Sequence, residues 1–391
     1  MKNRFQFKIA GHSLPGLVLL TLLAVTGCNQ TKKSEANNSA DTTANSIAED
    51  STTSSSSGSP NDIKPKGAKP AWGPSITPQM QAVIEKLEAY QAKPLPQLPP
   101  KEARMNPTPT MAVIAVMKDY YIQMPAPKVD TTGLKIPTGG GQNLHARVYT
   151  PKTGSAPFPV IVYYHGGGWV IADLDTYNAS AQALAEQVGA VVVSVAYRLA
   201  PEAKFPAQHN DAFAAYQWVL TNAASIKGDP KRVAVAGESA GGNLAANVSI
   251  MARDKKIALP RHQLLVYPIA NNDMNDQSYT KYAMAKPLDK SMMAYFLKQT
   301  LPSMAQSADP RIALTNANLK GLPSTTLIAA QLDPLQTEGK LLADKLQAAG
   351  VTVTYKLYDG VTHEFFGMAT VLPEAKQAQA LAADELKKAL K

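Results

Sequence analysis

Apolar residues first fall into a helical rhythm at Ile76, Met80, Val83, Ile84 and Leu87, just after Thr77-Pro78. A threonine followed by proline is a good helix start, so the spacing predicts a helix that ends near Tyr90. A bridge containing Pro94, Pro96, Pro99 and Pro100 leads to a second predicted helix over Thr110–Gln123. That helix is apolar nearly all round, so it must lie in a core or line a cleft. Gly139-Gly140-Gly141 is taken as a turn and not a phosphate loop. Beyond it, short apolar runs alternate with helical stretches. The runs are Leu144–Tyr149, Val160–Tyr164, Val191–Val195, Val233–Ala236, Leu264–Tyr267, Thr325–Ala330 and Val351–Leu357. The helical stretches are Thr176–Val188, Ala207–Asn222, Ala240–Arg253, Leu335–Ala349 and Pro373–Leu390. Such alternation predicts an α/β fold with a mostly parallel central sheet and helices on both faces. Only the polar, methionine-rich stretch from Asn271 to about Asn318 breaks the rhythm, and it reads as an insertion packing beside the N-terminal helices.

The pattern at the N-terminus is different. Lys2, Arg4 and Lys8 precede an apolar run, Leu14 to Val25, too short for a comfortable membrane span. The run ends in Val25-Thr26-Gly27-Cys28, which resembles the lipobox of bacterial lipoproteins. The resemblance implies a signal over residues 1–27 and lipidation of Cys28, with Asn29 in the position that directs Gram-negative lipoproteins to the outer membrane. The catalytic domain would then hang from a membrane in the cell envelope. Residues 28–70 are rich in Ser, Thr, Asn and Ala and are expected to form a disordered tether, because they carry too little apolar surface to offset ordering entropy. As a coil of about 40 residues it would span roughly 35 Å. Residues 71–391 form the expected folded domain.

Charge and cysteine content narrow the function. Net charge is +9, or about +6 without Lys2, Arg4 and Lys8, and it is spread without a basic stripe, which argues against nucleic acid. The sole cysteine, Cys28, excludes an intramolecular disulfide and a multi-cysteine metal site.

The sharpest chemical signal is Gly237-Glu238-Ser239-Ala240-Gly241, between the strand Val233–Ala236 and a helix beginning near Ala240. A serine at such a strand-to-helix turn sits on strained backbone, its flanking glycines make room, and the helix aims its positive end at developing negative charge. A second signal, His165-Gly166-Gly167-Gly168-Trp169, follows the strand Val160–Tyr164. Bare amides in this loop, with that of Ala240, are suited to binding an oxyanion. A serine hydroxyl needs a base. Of the six histidines, His12 lies in the signal and His165 in the glycine loop. His145 and His209 precede the serine, and His262 opens the next strand. His363, in the loop after the last strand, remains. The third member is a carboxylate between Ser239 and His363: Asp333 fits best, following a strand and preceding Pro334 and a helix, with Glu338 and Asp359 as weaker candidates.

Together with Tyr197-Arg-Leu-Ala-Pro-Glu202, Asp333-Pro334-Leu335 and Asn243, these motifs resemble the bacterial hormone-sensitive-lipase-like (family IV) esterases of the α/β-hydrolase fold. The resemblance runs from about Trp72 to the C-terminus. It implies a catalytic triad of Ser239, Asp333 and His363, and an oxyanion hole drawn from Gly166, Gly167 and Gly168, chiefly the last two, with Ala240. It further implies a helical cap from about residues 72–130 and 271–310, supporting roles for Glu202 and Glu238, and short- to medium-chain acyl esters as substrates. No metal or organic cofactor is required. Two positions depart from the family pattern: Gln331-Leu332 replaces an acidic residue and an aromatic, and Glu364 replaces a glycine. The rival readings are an amidase or peptidase on the same fold and a non-catalytic binding protein on an esterase scaffold. The sequence leaves the oligomeric state open.

Overall fold

The computed structural model describes residues 58–138 and 142–391. The predicted signal, Cys28 and the turn at Gly139–Gly141 lie outside the described residues.

Eight strands form one sheet: β1 (Val129–Pro137), β2 (Asn143–Pro151), β3 (Phe158–Tyr164), β4 (Val191–Ala196), β5 (Gly228–Glu238), β6 (His262–Val266), β7 (Ser324–Leu332) and β8 (Val353–Thr362). Their order is β1-β2-β4-β3-β5-β6-β7-β8. The β1–β2 and β2–β4 pairings are antiparallel, and every pairing from β4 to β8 is parallel. The helices are α1 (Pro78–Glu88), α2 (Pro100–Ala103), α3 (Pro109–Asp119), α4 (Asn178–Val188), α5 (Ala207–Asn222), α6 (Ala240–Asp254), α7 (Gln277–Lys281), α8 (Lys290–Thr300), α9 (Gln336–Ala348) and α10 (Pro373–Ala389). The mostly parallel sheet flanked by helices is what the alternating pattern predicts, and the strand order is that of the α/β-hydrolase fold implied by the motif resemblance.

Side chains on a strand alternate between faces, and β3 shows what that does here. Val160, Val162 and Tyr164 enter a core shared with α5, α6 and α9. Ile161 and Tyr163 enter a second core, shared with α1, α3, α4 and α10. Both sides of the sheet are thus covered, which is why its central strands read as continuous apolar runs and not as alternation.

Three expectations need correction. β1 was not predicted, because along Val129–Pro137 only Val129 and Ile136 are buried and an edge strand needs no apolar alternation. The last strand runs to Thr362, so Asp359–Thr362 is strand and His363 directly follows it. The packed chain also begins earlier than residue 71: Ile63 is buried, and the amides of Lys66 and Gly67 donate to the Glu85 carboxylate on α1 at 2.7 and 2.9 Å. One apolar anchor and two charge-assisted hydrogen bonds hold a stretch whose composition alone reads as tether.

The segments flanking the sheet's carboxyl end meet over the glycine loop. The Tyr295 hydroxyl on α8 donates to the Leu98 carbonyl at 3.2 Å. Arg104, just after α2, donates to the carbonyls of Val170 and Ala200 at 2.8 Å each and forms a bidentate pair with Glu202 at 2.7 and 2.9 Å. Of the methionines in the insertion, Met293 is buried, while Met284 and Met304 face solvent.

Candidate active site

β5 ends at Glu238 and α6 begins at Ala240, so Ser239 alone makes the turn. Its φ of 55° and ψ of −119° lie outside the regions that L-residues prefer, a strain of about 1–3 kcal/mol that the packing must hold. The flanking glycines are obligatory. A Cβ on Gly237 would stand 2.1 Å from the Gly241 carbonyl oxygen, and one on Gly241 would stand 2.0 Å from that of Tyr164.

The Ser239 Oγ lies 2.9 Å from His363 Nε2, and His363 Nδ1 lies 2.7 Å from Asp333 Oδ2. All three side chains are buried. Asp333 leaves the end of β7, where the Leu335 amide donates to its other oxygen at 2.9 Å. This fixes the carboxylate and leaves Oδ2 to orient the imidazole. Burial works against a charged His363, yet the charge and hydrogen bond of Asp333, joined by the charges of Glu364 and Glu238, outweigh it and raise the histidine above its ordinary value. The other two carboxylate candidates are elsewhere. Glu338 accepts from the Ala270 amide at 2.7 Å, and Asp359 is exposed on β8.

The glycine loop follows β3. The Gly166 carbonyl accepts from the Tyr197 hydroxyl at 3.3 Å and from His165 Nδ1 at 2.8 Å, while the Gly167 carbonyl accepts from the amides of Val170 and Ile171 at 3.0 Å. Across a planar trans peptide the amide points opposite to the carbonyl, so the Gly167 and Gly168 amides face away from those partners. The Ala240 amide opens α6 and has no partner within its helix. Gly167 and Gly168 have φ of 94° and 58°, which glycine adopts without steric cost. His165 braces the loop, as its sequence position suggests. Burial holds it down to about 4, so it is neutral.

His209 and His262 are structural. His209 contacts the Asn243 side chain at 3.0 Å, and His262 contacts the hydroxyls of Ser324 and Thr326 at 2.8 and 3.0 Å. Gln331 accepts from the Ser75 hydroxyl at 2.9 Å and the Gly360 amide at 2.8 Å, tying the N-terminal segment to β8 close to His363.

Sequence reasoning did not find the tyrosine shell behind the triad. Tyr163 donates to Glu238 at 2.5 Å, Tyr267 donates to the other oxygen of the same carboxylate, and Tyr177 donates to Glu364 at 2.5 Å. Burial, aided by the Glu364 charge, pushes Glu238 up to about 7. In sequence these tyrosines are indistinguishable from core residues; the only hint was an acid following His363. Between α3, α4 and α10 a cavity of about 630 Å³ reaches down to Glu238 and Glu364. Val113, Ile114 and Met117 form its α3 wall, which accounts for a helix apolar on so many sides.

Comparison with known proteins gives a consistent picture. A family model described as alpha/beta hydrolase fold matches residues 161–367. The carboxylesterase NlhH of Mycobacterium tuberculosis is 41% identical over 255 residues, which is 64% of this chain and 80% of that protein. The ethyl acetate hydrolase of Pseudomonas putida is 30% identical over 325 residues, covering 81% of this chain and all of that protein. Among solved structures, a thermostable esterase from Pseudomonas putida superposes with a TM-score of 0.74 at 33% identity, over 81% of this chain and 98% of that one. The Pyrobaculum calidifontis esterase superposes at 0.72 and 35% identity, over 81% and 100%.

Proposed function

From the premise that the chain belongs to the α/β-hydrolase-fold family matched by residues 161–367, we propose that it hydrolyses short- to medium-chain carboxylic esters through an acyl-enzyme on Ser239. The chain is a carboxylic-ester hydrolase, and the observation that carries the mechanism is the unbroken Ser239–His363–Asp333 hydrogen-bond relay at the elbow. Ser239 attacks the ester carbonyl as His363 takes its proton at Nε2. Asp333 holds the ring and stabilises the imidazolium. The amides of Gly167, Gly168 and Ala240 take the oxyanion. His363 then protonates the departing alcohol, and water repeats the sequence on the acyl-enzyme. Within the cap expected from about residues 72–130 and 271–310, the segments around residues 95–104 and 289–301 limit acyl length. A short-chain ester assay of wild type beside Ser239→Ala tests this reading: turnover lost with the hydroxyl supports it, and equal turnover sinks it.

The cellular setting is a separate proposal, supported by the basic start, the short apolar run and the single cysteine at its end. Cys28 carries lipid and anchors the domain to a membrane of the cell envelope, the outer membrane in a Gram-negative host. One acyl chain anchors only marginally and two or more anchor stably, so Cys28→Ser should release the protein from membranes without altering turnover. Wild-type protein recovered soluble with an unmodified N-terminus would overturn the anchor.

A further inference from the structure

Glu364 is an acid that the triad chemistry does not require. It follows His363 at a φ of 70°, a conformation glycine would take without strain. Its carboxylate accepts from the Tyr177 hydroxyl at 2.5 Å and stands 4.0 Å from His363 Nε2. Asp333 occupies the other ring nitrogen at 2.7 Å. The imidazole therefore lies between two carboxylates, one toward each nitrogen. Tyr177 has no freedom to release its partner. It is buried, and a Cβ on Gly166 would stand 2.1 Å from its hydroxyl, so the phenol is wedged against the glycine loop. The nearby phenols of Tyr163 and Tyr267 are committed to Glu238.

We propose that Glu364 is a second positioning carboxylate for His363, held by Tyr177, which stabilises the imidazolium formed when Ser239 gives up its proton. The proposal rests on the serine-hydrolase reading and adds a residue to it. When Ser239 Oγ forms its bond to the ester carbonyl, its proton moves to Nε2, and a positive charge appears on the ring that Glu364 faces. An opposite charge within about 4–6 Å favours the charged form. Burial disfavours the ionised form of Glu364, while charge on His363 favours it, so the carboxylate is readiest to ionise when the imidazolium exists. The cavity between α3, α4 and α10 reaches Glu364, so its protonation can equilibrate with solvent without passing through Ser239.

The other groups around the ring are accounted for. Asp333 faces Nδ1, Tyr267 packs against the imidazole with ring centroids 4.5 Å apart, and Glu238 lies behind Tyr267. His165, on the glycine loop, is held neutral by burial. Asp175, Glu186 and Lys376 line the cavity that leads to Glu364.

Glu364→Gln removes the charge and keeps an oxygen for Tyr177, and Glu364→Asp keeps the charge on a shorter arm. We would measure kcat/KM for a small neutral ester from pH 5 to 9, and follow the low-field Nδ1 proton of His363 by NMR over the same range. Glu364→Gln should move the acidic limb of kcat/KM, and the NMR titration with it, down by about one pH unit. Plateau kcat should fall several-fold with little change in KM, and Glu364→Asp should restore much of the shift. Should Glu364→Gln fail to fold, Tyr177→Phe removes the hydrogen bond that favours the ionised carboxylate and should move both readouts in the same direction. An unmoved limb and an unmoved titration would reduce Glu364 to a space-filling residue and overturn the proposal, whatever happens to kcat. A wild type that hydrolyses no ester would overturn the esterase reading instead, and the NMR titration of wild type against Glu364→Gln would still decide the role of the charge.

Discussion

The ring of Phe296 on α8 occupies the place where a side chain on Gly168 would have to go: an ideal Cβ there stands 2.2 Å from the ring. The backbone adds a second constraint, since Gly168 has a φ of 58°. Glycine at this position thus lets a helix of the insertion press directly on the loop proposed to bind the oxyanion.

Gly168→Ala should therefore act on catalysis more than on binding. Removing one oxyanion donor costs about 10²–10³ in kcat, and displacing the loop should cost a similar factor with KM little changed. Adding Phe296→Ala relieves the collision and leaves the positive φ, so the double variant should recover part of the loss. Steady-state kinetics of the three proteins check this. A Gly168→Ala enzyme with wild-type kcat would remove the loop from the oxyanion site.

The carboxylates can be separated by substitution. Asp333→Asn leaves His363 Nδ1 facing an amide and should cost up to about 10⁴ in kcat, as in other triads. Its loss should not add to those of Ser239→Ala and His363→Ala, because the three act as one unit. Glu338→Gln should keep near-full activity, because burial already raises Glu338 toward its neutral form and it serves the Ala270 amide. Asp359→Asn, on an exposed position of β8, should do the same. Large losses at either residue with little at Asp333 would reassign the third member.

How far the sequence carried this picture follows from the kind of signal each part leaves. The parallel strands are buried on both faces and show as apolar runs, and Ser239, His363 and Asp333 sit at junctions between strand and loop that the pattern marks. β1 left no trace because an edge strand with two buried residues needs no pattern. Ile63 and the Glu85 hydrogen bonds were hidden in a polar stretch, where one apolar residue does not announce a packed segment. The Tyr177–Glu364 pair joins residues far apart in the chain, and neither member has a spacing that predicts the other.

Acyl length should be limited by the apolar side chains packed around the glycine loop. Each added methylene gains about 0.8 kcal/mol, close to fourfold in kcat/KM, while it still displaces water from apolar surface. With Phe296 and Trp169 both buried around the glycine loop, that gain should end early. A series of p-nitrophenyl esters should peak at about 4–8 carbons and fall beyond, because extra length meets steric cost once apolar surface runs out. Rising kcat/KM out to palmitoyl esters would overturn that limit and point to an open groove.

The buried histidines should make the fold sensitive to mild acid, and His262 offers the cleanest test. Its two ring nitrogens contact the hydroxyls of Ser324 and Thr326, groups that can donate or accept and so suit a neutral ring. Burial pushes it from 6.5 down to about 4. A folded-state value below the unfolded one means that the unfolded chain takes up the proton first. The stabilisation is therefore present above pH 6.5 and is lost as pH falls from there toward 4, at about 1.4 kcal/mol per unit. Between pH 7.5 and 5 this one residue should remove about 2 kcal/mol of stability. Glu238 and His363 titrate with the opposite sign, because both are raised in the fold, so the whole-protein profile mixes the terms. Comparison with a variant isolates the one of interest. His262→Gln should be less stable than wild type at pH 7.5, and the gap between their urea-unfolding free energies should narrow by about 2 kcal/mol at pH 5. Parallel curves across that range would mean that His262 is as free to protonate in the fold as in the unfolded chain.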